Sequence, residues 1–212
     1  FFTIMHFQNV SFTYDANTAT VINELDFIIK AGKVTALIGP SGYGKTTILN
    51  LLSRLYAPTS GSIIVDGRPI GDFSLRSWRS FIGYIAQDVK LFSGTIRQNI
   101  TMGKNVTDQE LETVCQTAMV TDIVEVMPDG LDTHINEIDT GLSGGQERRI
   151  ALARSLLSGA QLLFLDEATS ALSESMENEL IRRLKSLPGL TVIIVSHRSS
   201  ILDCCDHVIN LK

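Results

Sequence analysis

The chain has 212 residues, 44% of them hydrophobic and 19% charged, which is enough apolar material for one packed domain and excludes a disordered chain. Sixteen glycines and five prolines exclude collagen-like and linker-like sequences. A formal net charge of −5 argues against a protein that coats nucleic acid.

Residues 5–12 and 21–29 alternate apolar and polar, the period of half-buried strands, with a polar turn over 15–20 between them. Residues 34–38 form an apolar run broken only by Thr35, as in a strand buried on both faces. A helix is predicted from Lys45 to about Leu55, with Ile48, Leu49, Leu51, Leu52 and Leu55 on its buried side. Pro58 and Gly61 end that unit, and residues 62–65 followed by Asp66 and Gly67 read as a strand and turn. Residues 82–86 are another buried strand. From Gly94 to Gly159 the period turns helical, with helices over 107–119 and 143–157 and a turn over 128–130. The first of these opens on a capping box, Thr107 with Glu110 three residues on. The final third is a strand at 162–165, a helix at 174–187, a break at Pro188 and Gly189, a strand at 191–195 and a last strand pattern at 208–212. Strands alternating with helices imply an α/β fold with a parallel sheet, and the helical middle reads as an inserted subdomain.

The apolar runs at 34–39, 162–165 and 191–195 are strand-sized, far below the roughly 18–20 residues that span a bilayer. A soluble piece is expected, one that a larger membrane-bound chain could carry, because the sequence starts and stops on strand patterns like an excised domain. The three cysteines, Cys115, Cys204 and Cys205, are odd in number and two are adjacent. That suggests no disulfide framework or metal cluster, but reduced thiols in a cytosolic setting.

Gly39, Pro40, Ser41, Gly42, Tyr43, Gly44, Lys45 and Thr46 fit the pattern G-x-x-x-x-G-K-[ST] between a predicted strand and a predicted helix. Glycines let such a loop wrap so that backbone N–H groups point at phosphate oxygens, and the helix N-terminus favours the anion. Lys45 can reach the β and γ phosphates, and the Thr46 hydroxyl can ligate Mg²⁺. The apolar strand 162–165 delivers Asp166 and Glu167 to the sheet edge where ligands sit in open α/β folds. Asp166 suits a Mg²⁺ shell, and Glu167, pointing elsewhere because side chains alternate along a strand, suits a general base. The alternative is a solvated carboxylate pair at a helix start.

Leu142, Ser143, Gly144, Gly145 and Gln146 precede the helix that carries Arg148, Arg149 and Arg154. Ser143 suits an N-cap, but two glycines behind a cap are poor helix formers and suggest close approach of something to the backbone. With this LSGGQ segment the chain resembles the nucleotide-binding domain of an ATP-binding cassette (ABC) transporter, over essentially its whole length. The resemblance implies a P-loop NTPase core with a mostly parallel sheet, an N-terminal antiparallel β subdomain and a helical subdomain over about 88–158 that carries the signature.

The same resemblance implies ATP and Mg²⁺ as cofactors, held by the loop from Gly39 to Thr47. Tyr14 matches the aromatic residue that stacks on adenine, with a strand-end core tyrosine as the alternative. Gln87 matches the glutamine that joins the metal shell with Thr46 and Asp166 and senses the transmembrane domains. Glu137, nine residues before Gln146, matches an exporter acid, and the stretch 91–100 resembles exporters, not importers. His197 matches the switch histidine at the γ-phosphate, with a structural histidine as the alternative. Glu167, His197, Gln87 and Lys45 are the implied catalytic set. The implied partners are a second nucleotide-binding domain, head to tail, so that Ser143, Gly144, Gly145 and Gln146 cap the partner site's nucleotide, and transmembrane domains that tether the domain to the cytoplasmic face of a membrane; nucleic acid is not among them.

Three positions depart from the family pattern. Tyr43 stands where a small residue is usual, Ser173 replaces an aspartate that communicates between the two sites, and Asn136 replaces glycine before Glu137. The family's C-terminal strands are also expected beyond Lys212. Tyr43 and Ser173 keep open a regulatory cassette that hydrolyses slowly, and the family also holds soluble ATPases of DNA repair or translation, which would lack the exporter-like 91–100 stretch.

Overall fold

Five apolar strands pair in parallel at the centre of the computed structural model, which describes residues 2–15 and 19–211. Part of the polar turn over 15–20, and Lys212, lie outside the described residues. β1 (Ile4–Phe12) pairs antiparallel with β2 (Ile22–Lys30). The chain then enters β3 (Val34–Ile38) and α1 (Lys45–Leu52) before β4 (Ser60–Val65) returns to the other side of β1 and turns into β5 (Arg68–Pro69). These outer strands form one antiparallel sheet in the order β2-β1-β4-β5.

The chain continues through α2 (Leu75–Ser80), β6 (Ile82–Ile85), β7 (Gly94–Thr95), α3 (Ile96–Thr101), α4 (Asp108–Thr117), α5 (Thr121–Val124), β8 (His134–Ile135) and α6 (Gly144–Leu157). β9 (Leu162–Asp166), α7 (Glu174–Lys185), β10 (Thr191–Val195) and β11 (His207–Asn210) complete it. The parallel sheet runs β11-β3-β10-β9-β6. Its central strands β3, β10 and β9 are buried on both faces, which is why they read as largely apolar runs, whereas the edge strand β11 alternates. Val34, Ala36, Leu163, Leu165, Val192 and Ile194 pack on the side of α6 and α7. Leu37, Leu162, Phe164, Ile193 and Val195 pack on the side of α1 and the antiparallel sheet. The described residues therefore make a mixed α/β fold with a five-stranded parallel sheet, a four-stranded antiparallel sheet and a two-stranded antiparallel ribbon.

Three local expectations change. The helix from Lys45 ends at Leu52, three residues early, because Arg54 turns left-handed (φ +55°) and the Leu55 N–H closes back onto the Asn50 carbonyl. Leu55 is consequently 55% exposed, off the buried face where the helical period placed it. The stretch from Gly94 to Gly159 is not uniformly helical: β7 and β8 pair as a two-residue ribbon, which is too short for a period of two to register. α2 went unseen because Trp78 is its single buried anchor; Ser74 caps it and the Trp78 indole N–H donates to the Leu52 carbonyl at 2.6 Å.

Candidate active site

The loop between β3 and α1 is set by steric contact. A Cβ at Gly39 would lie 2.6 Å from the Leu211 carbonyl oxygen, and φ is +150° there, so the residue that leaves β3 has to be glycine. Gly44 opens α1 with no side-chain cap, and the helix turns its first N–H groups toward the loop. Lys45, buried, folds back and donates from Nζ to the Gly39 and Pro40 carbonyls, each at 2.8 Å. Burial lowers its pKa, and the Glu167 and Asp166 carboxylates oppose that shift. Two of its three N–H donors close the loop on itself.

Asp166 ends β9 and is 7% exposed. One carboxylate oxygen, Oδ1, accepts from the Thr46 hydroxyl at 3.1 Å, and Oδ2 accepts from the Tyr84 hydroxyl at 2.9 Å. Burial, and then the Asp166 charge, push the Tyr84 phenol above its ordinary range. Glu167 lies one residue past the strand and takes a left-handed turn, φ +52°, a strained conformation for a residue with a Cβ. Its direction thus comes from that turn more than from strand alternation. The Glu167 N–H donates to the Val195 carbonyl, and its Oε1 lies 2.6 Å from His197 Nε2 just beyond β10.

Tyr14, 43% exposed, is not a core residue. Its hydroxyl meets the Thr47 hydroxyl at 2.9 Å, and its ring stands edge-on to Phe12 and Tyr56, with centroids 4.8 and 5.2 Å away. That leaves an aromatic face beside the start of α1. Gln87 follows β6, next to β9 in the sheet, and its backbone carbonyl accepts from Arg148 Nε at 2.8 Å. Tyr43, in the loop between β3 and α1, is 47% exposed.

Ser143 is the N-cap of α6 in a full capping box: its Oγ accepts from the Gln146 N–H, and Gln146 Oε1 accepts from the Ser143 N–H at 2.8 Å. A Cβ on Gly145 would press on Ala171, 3.3 Å away, whereas at Gly144 it would meet only the end of the Arg148 side chain at 3.9 Å. Gly145 is thus explained within the chain and Gly144 is not. Among the described residues no hydrogen bond joins 143–146 to the 39–47 loop. Ser173 caps α7, accepting from the Met176 N–H. Glu137 and Asn136 are exposed, and the Glu137 N–H donates to Ser93.

The sequence reading passed over Tyr84, Arg198 and Glu177. Arg198 donates to the Ser170 and Leu172 carbonyls, each at 2.7 Å, and to Glu177 Oε2 at 3.1 Å. Glu177 is 0% exposed and accepts from the Thr169 hydroxyl with its other oxygen. A signal existed: Glu177 continues the buried stripe Leu180, Ile181 and Leu184 of α7 at helical spacing. The pair fixes residues 169–172 against the turn that carries His197.

The family described as ABC transporter matches residues 22–170. The chain is 39% identical over 213 residues to an ATP-dependent lipid A-core flippase of Ralstonia nicotianae, covering 98% of this chain and 36% of that protein. It is 40% identical over 204 residues to a multidrug resistance ABC transporter ATP-binding and permease protein of Lactococcus lactis subsp. lactis, covering 95% and 34%. The solved structure of a bacterial Atm1-family ABC exporter with ATP bound superposes with a TM-score of 0.90 at 34% identity, over 100% of this chain and 37% of that one. The chain spans about a third of the length of the curated relatives it matches.

Arg198→Ala strands the buried Glu177 carboxylate. Breaking a buried pair costs about 3–5 kcal/mol; the half-exposed guanidinium site admits water, so about 2 kcal/mol is expected, or a melting temperature lower by about 4–8 °C for a chain of this size. Adding Glu177→Gln should recover part of the loss, since an amide needs no counter-charge. Thermal unfolding of the wild type, both single variants and the double variant reads the coupling directly.

Proposed function

The chain belongs to the ABC transporter family, and we propose that it is the ATP-binding and ATP-hydrolysing motor of an exporter. The observation that carries this reading is the convergence of the phosphate-loop lysine, the buried Asp166 and the Glu167–His197 pair at one edge of the parallel sheet. In this reading the loop from Gly39 to Thr47 wraps the phosphates with its backbone N–H groups, and Lys45 turns its remaining donor toward them. Tyr14 offers its exposed ring face to adenine.

The residues also fit a hard divalent cation. Among the described residues no group of three or more His, Cys, Asp or Glu could hold a metal. Mg²⁺, however, takes oxygen ligands, typically one or two carboxylates, with the substrate's phosphates completing its shell. The Thr46 hydroxyl, the Asp166 carboxylate and the Gln87 carboxamide are such oxygens. Bound with ATP, the ion would neutralise charge on the phosphates. Glu167 accepts a proton from the water whose oxygen bonds to the γ-phosphorus as the bond to the β–γ bridging oxygen breaks and ADP leaves, and His197, 2.6 Å from Glu167, holds that carboxylate and in this reading faces the γ-phosphate.

The signature segment suits a second copy of such a domain. Gly144 meets little of its own chain and α6 turns its N-terminus outward, which fits the phosphate of a nucleotide held by a partner. Residues 88–158 would form the arm that carries this segment, and transmembrane domains at the cytoplasmic face would take up the motion. No helix among the described residues is long and apolar enough to cross a membrane.

Glu167→Gln should keep ATP binding, slow hydrolysis by roughly 10²-fold or more and accumulate an ATP-bound dimer. Turnover equal to the parent's would remove Glu167 from the role of base. Tyr14→Ala should weaken nucleotide binding by about 1–3 kcal/mol, by analogy with base–aromatic stacking, whereas Tyr14→Phe binds nearly normally in the same calorimetric titration.

A second reading, a slow regulatory cassette, has Tyr43 and Ser173 in its favour. Tyr43 is exposed on the loop that would face the partner, and Ser173 offers a neutral hydroxyl where a carboxylate could orient donors across the interface. Ser173→Asp preserves the cap of α7, since aspartate caps as well as serine. Combined with Tyr43→Ser it should raise ATP-dependent dimerisation and turnover together, measured by size-exclusion chromatography in ATP and by rate against protein concentration. A double variant no faster than the parent would make both residues tolerated substitutions.

A further inference from the structure

The Asp166 carboxylate is held from both sides, and only one of the two donors belongs to the phosphate loop. Thr46 occupies Oδ1 and Tyr84 occupies Oδ2. The second contact follows from sheet register. β6 and β9 run parallel with Tyr84 opposite Phe164, and Asp166, two residues beyond Phe164, shares its face. The diagonal reach from one strand to the residue two further along its neighbour suits a long side chain with a terminal donor. Tyr84 meets that demand, its ring edge-on to Phe164 at 5.9 Å and its hydroxyl at the carboxylate. A carboxylate rotates freely about its last torsion. A donor on each oxygen fixes its plane.

We propose that Tyr84 is a positioning residue for the divalent cation: its hydroxyl holds the Asp166 carboxylate in the plane in which Oδ1 faces Thr46 and the phosphate loop. Thr46 serves the carboxylate and the cation alike, whereas Tyr84 serves the carboxylate alone and remains its anchor when the cation is bound. The phenol also withdraws some charge from Oδ2, which opposes cation binding. Partners that orient metal ligands typically change metal affinity by about 10–100-fold when removed, more than one neutral hydroxyl withdraws, so orientation decides the sign. The inference rests on reading Thr46 and Asp166 as ligands of the cation.

The test titrates a non-hydrolysable ATP analogue into the purified protein, once in EDTA and once at graded Mn²⁺, and reads the gain in affinity that the metal confers. Tyr84→Phe removes one oxygen atom and keeps the ring against Phe164. It should bind the analogue in EDTA like the parent and need about 10-fold more Mn²⁺ for the same gain. Tyr84→Met, which also lacks the donor, gives the same reading should the first variant fold poorly. A parental or stronger response to Mn²⁺, or an equal loss in EDTA and in Mn²⁺, overturns the positioning role, since a merely structural tyrosine moves both arms together. Asp166→Asn runs alongside and should abolish most of the gain. A parental gain there overturns the assignment of Asp166 itself, and the role of Tyr84 with it.

Discussion

Everything at the site hangs on the parallel register of β3, β10 and β9. Leu37 lies opposite Val195, and Val195 opposite Asp166, so three strands finish at one level. The phosphate loop leaves the first, the turn with His197 the second and Glu167 the third. A slip of one residue would turn Asp166 to the opposite face, away from Thr46 and Tyr84. The bond from the Glu167 N–H to the Val195 carbonyl prolongs this ladder one residue past the strand, and the left-handed turn at Glu167 begins there.

The edge carries costs that the sheet has to offset. A buried lysine, a buried aspartate and a strained glutamate, distant in sequence, meet at this edge. Each is tolerated because its polar atoms are matched: the ammonium with loop carbonyls, the carboxylate with two hydroxyls, the glutamate with a histidine. Beneath them the Ile, Val, Leu and Phe side chains of β3, β9 and β10 pack on both faces. That apolar burial is the large favourable term, and it keeps the edge rigid.

Much of this was legible in the sequence, and what was not has a common cause. The strands at 34–38 and 191–195 were legible with their observed bounds, because burial on both faces leaves short, largely apolar runs rich in β-branched residues. Thr107 announced its cap by residue type and by the acid three residues on, and Ser143 by residue type. Asp166 and Glu167 stood out as charges ending an apolar strand. Tyr84 and Arg198 were invisible for the opposite reason: their partners are 82 and 21 or more positions away, and nothing local marks a tyrosine as the neighbour of a carboxylate. Such contacts depend on which strands pair and in what register, and alternation within one strand carries no information about that. Leu55 shows the limit at short range, since a left-handed Arg54 is not encoded by helical period.

Two arginines turn these separate pieces into one mechanical unit. Arg148, on α6 behind the Ser143 cap, reaches the Gln87 carbonyl and, more weakly, Ser170. Arg198, beside His197, reaches the Ser170 and Leu172 carbonyls and Glu177. Residues 170–172 are therefore held from two directions, by the helix that starts at the signature segment and by the turn that carries His197. The bonds to backbone carbonyls use the guanidinium's fork of fixed donors, which a lysine could not replace. A shift of α6 would pull on the Gln87 carbonyl and on Ser170 together, and Arg198, bonded to the Ser170 and Leu172 carbonyls, sits next to His197. The chain thus holds a continuous, hydrogen-bonded connection between the start of α6 and the turn that carries His197.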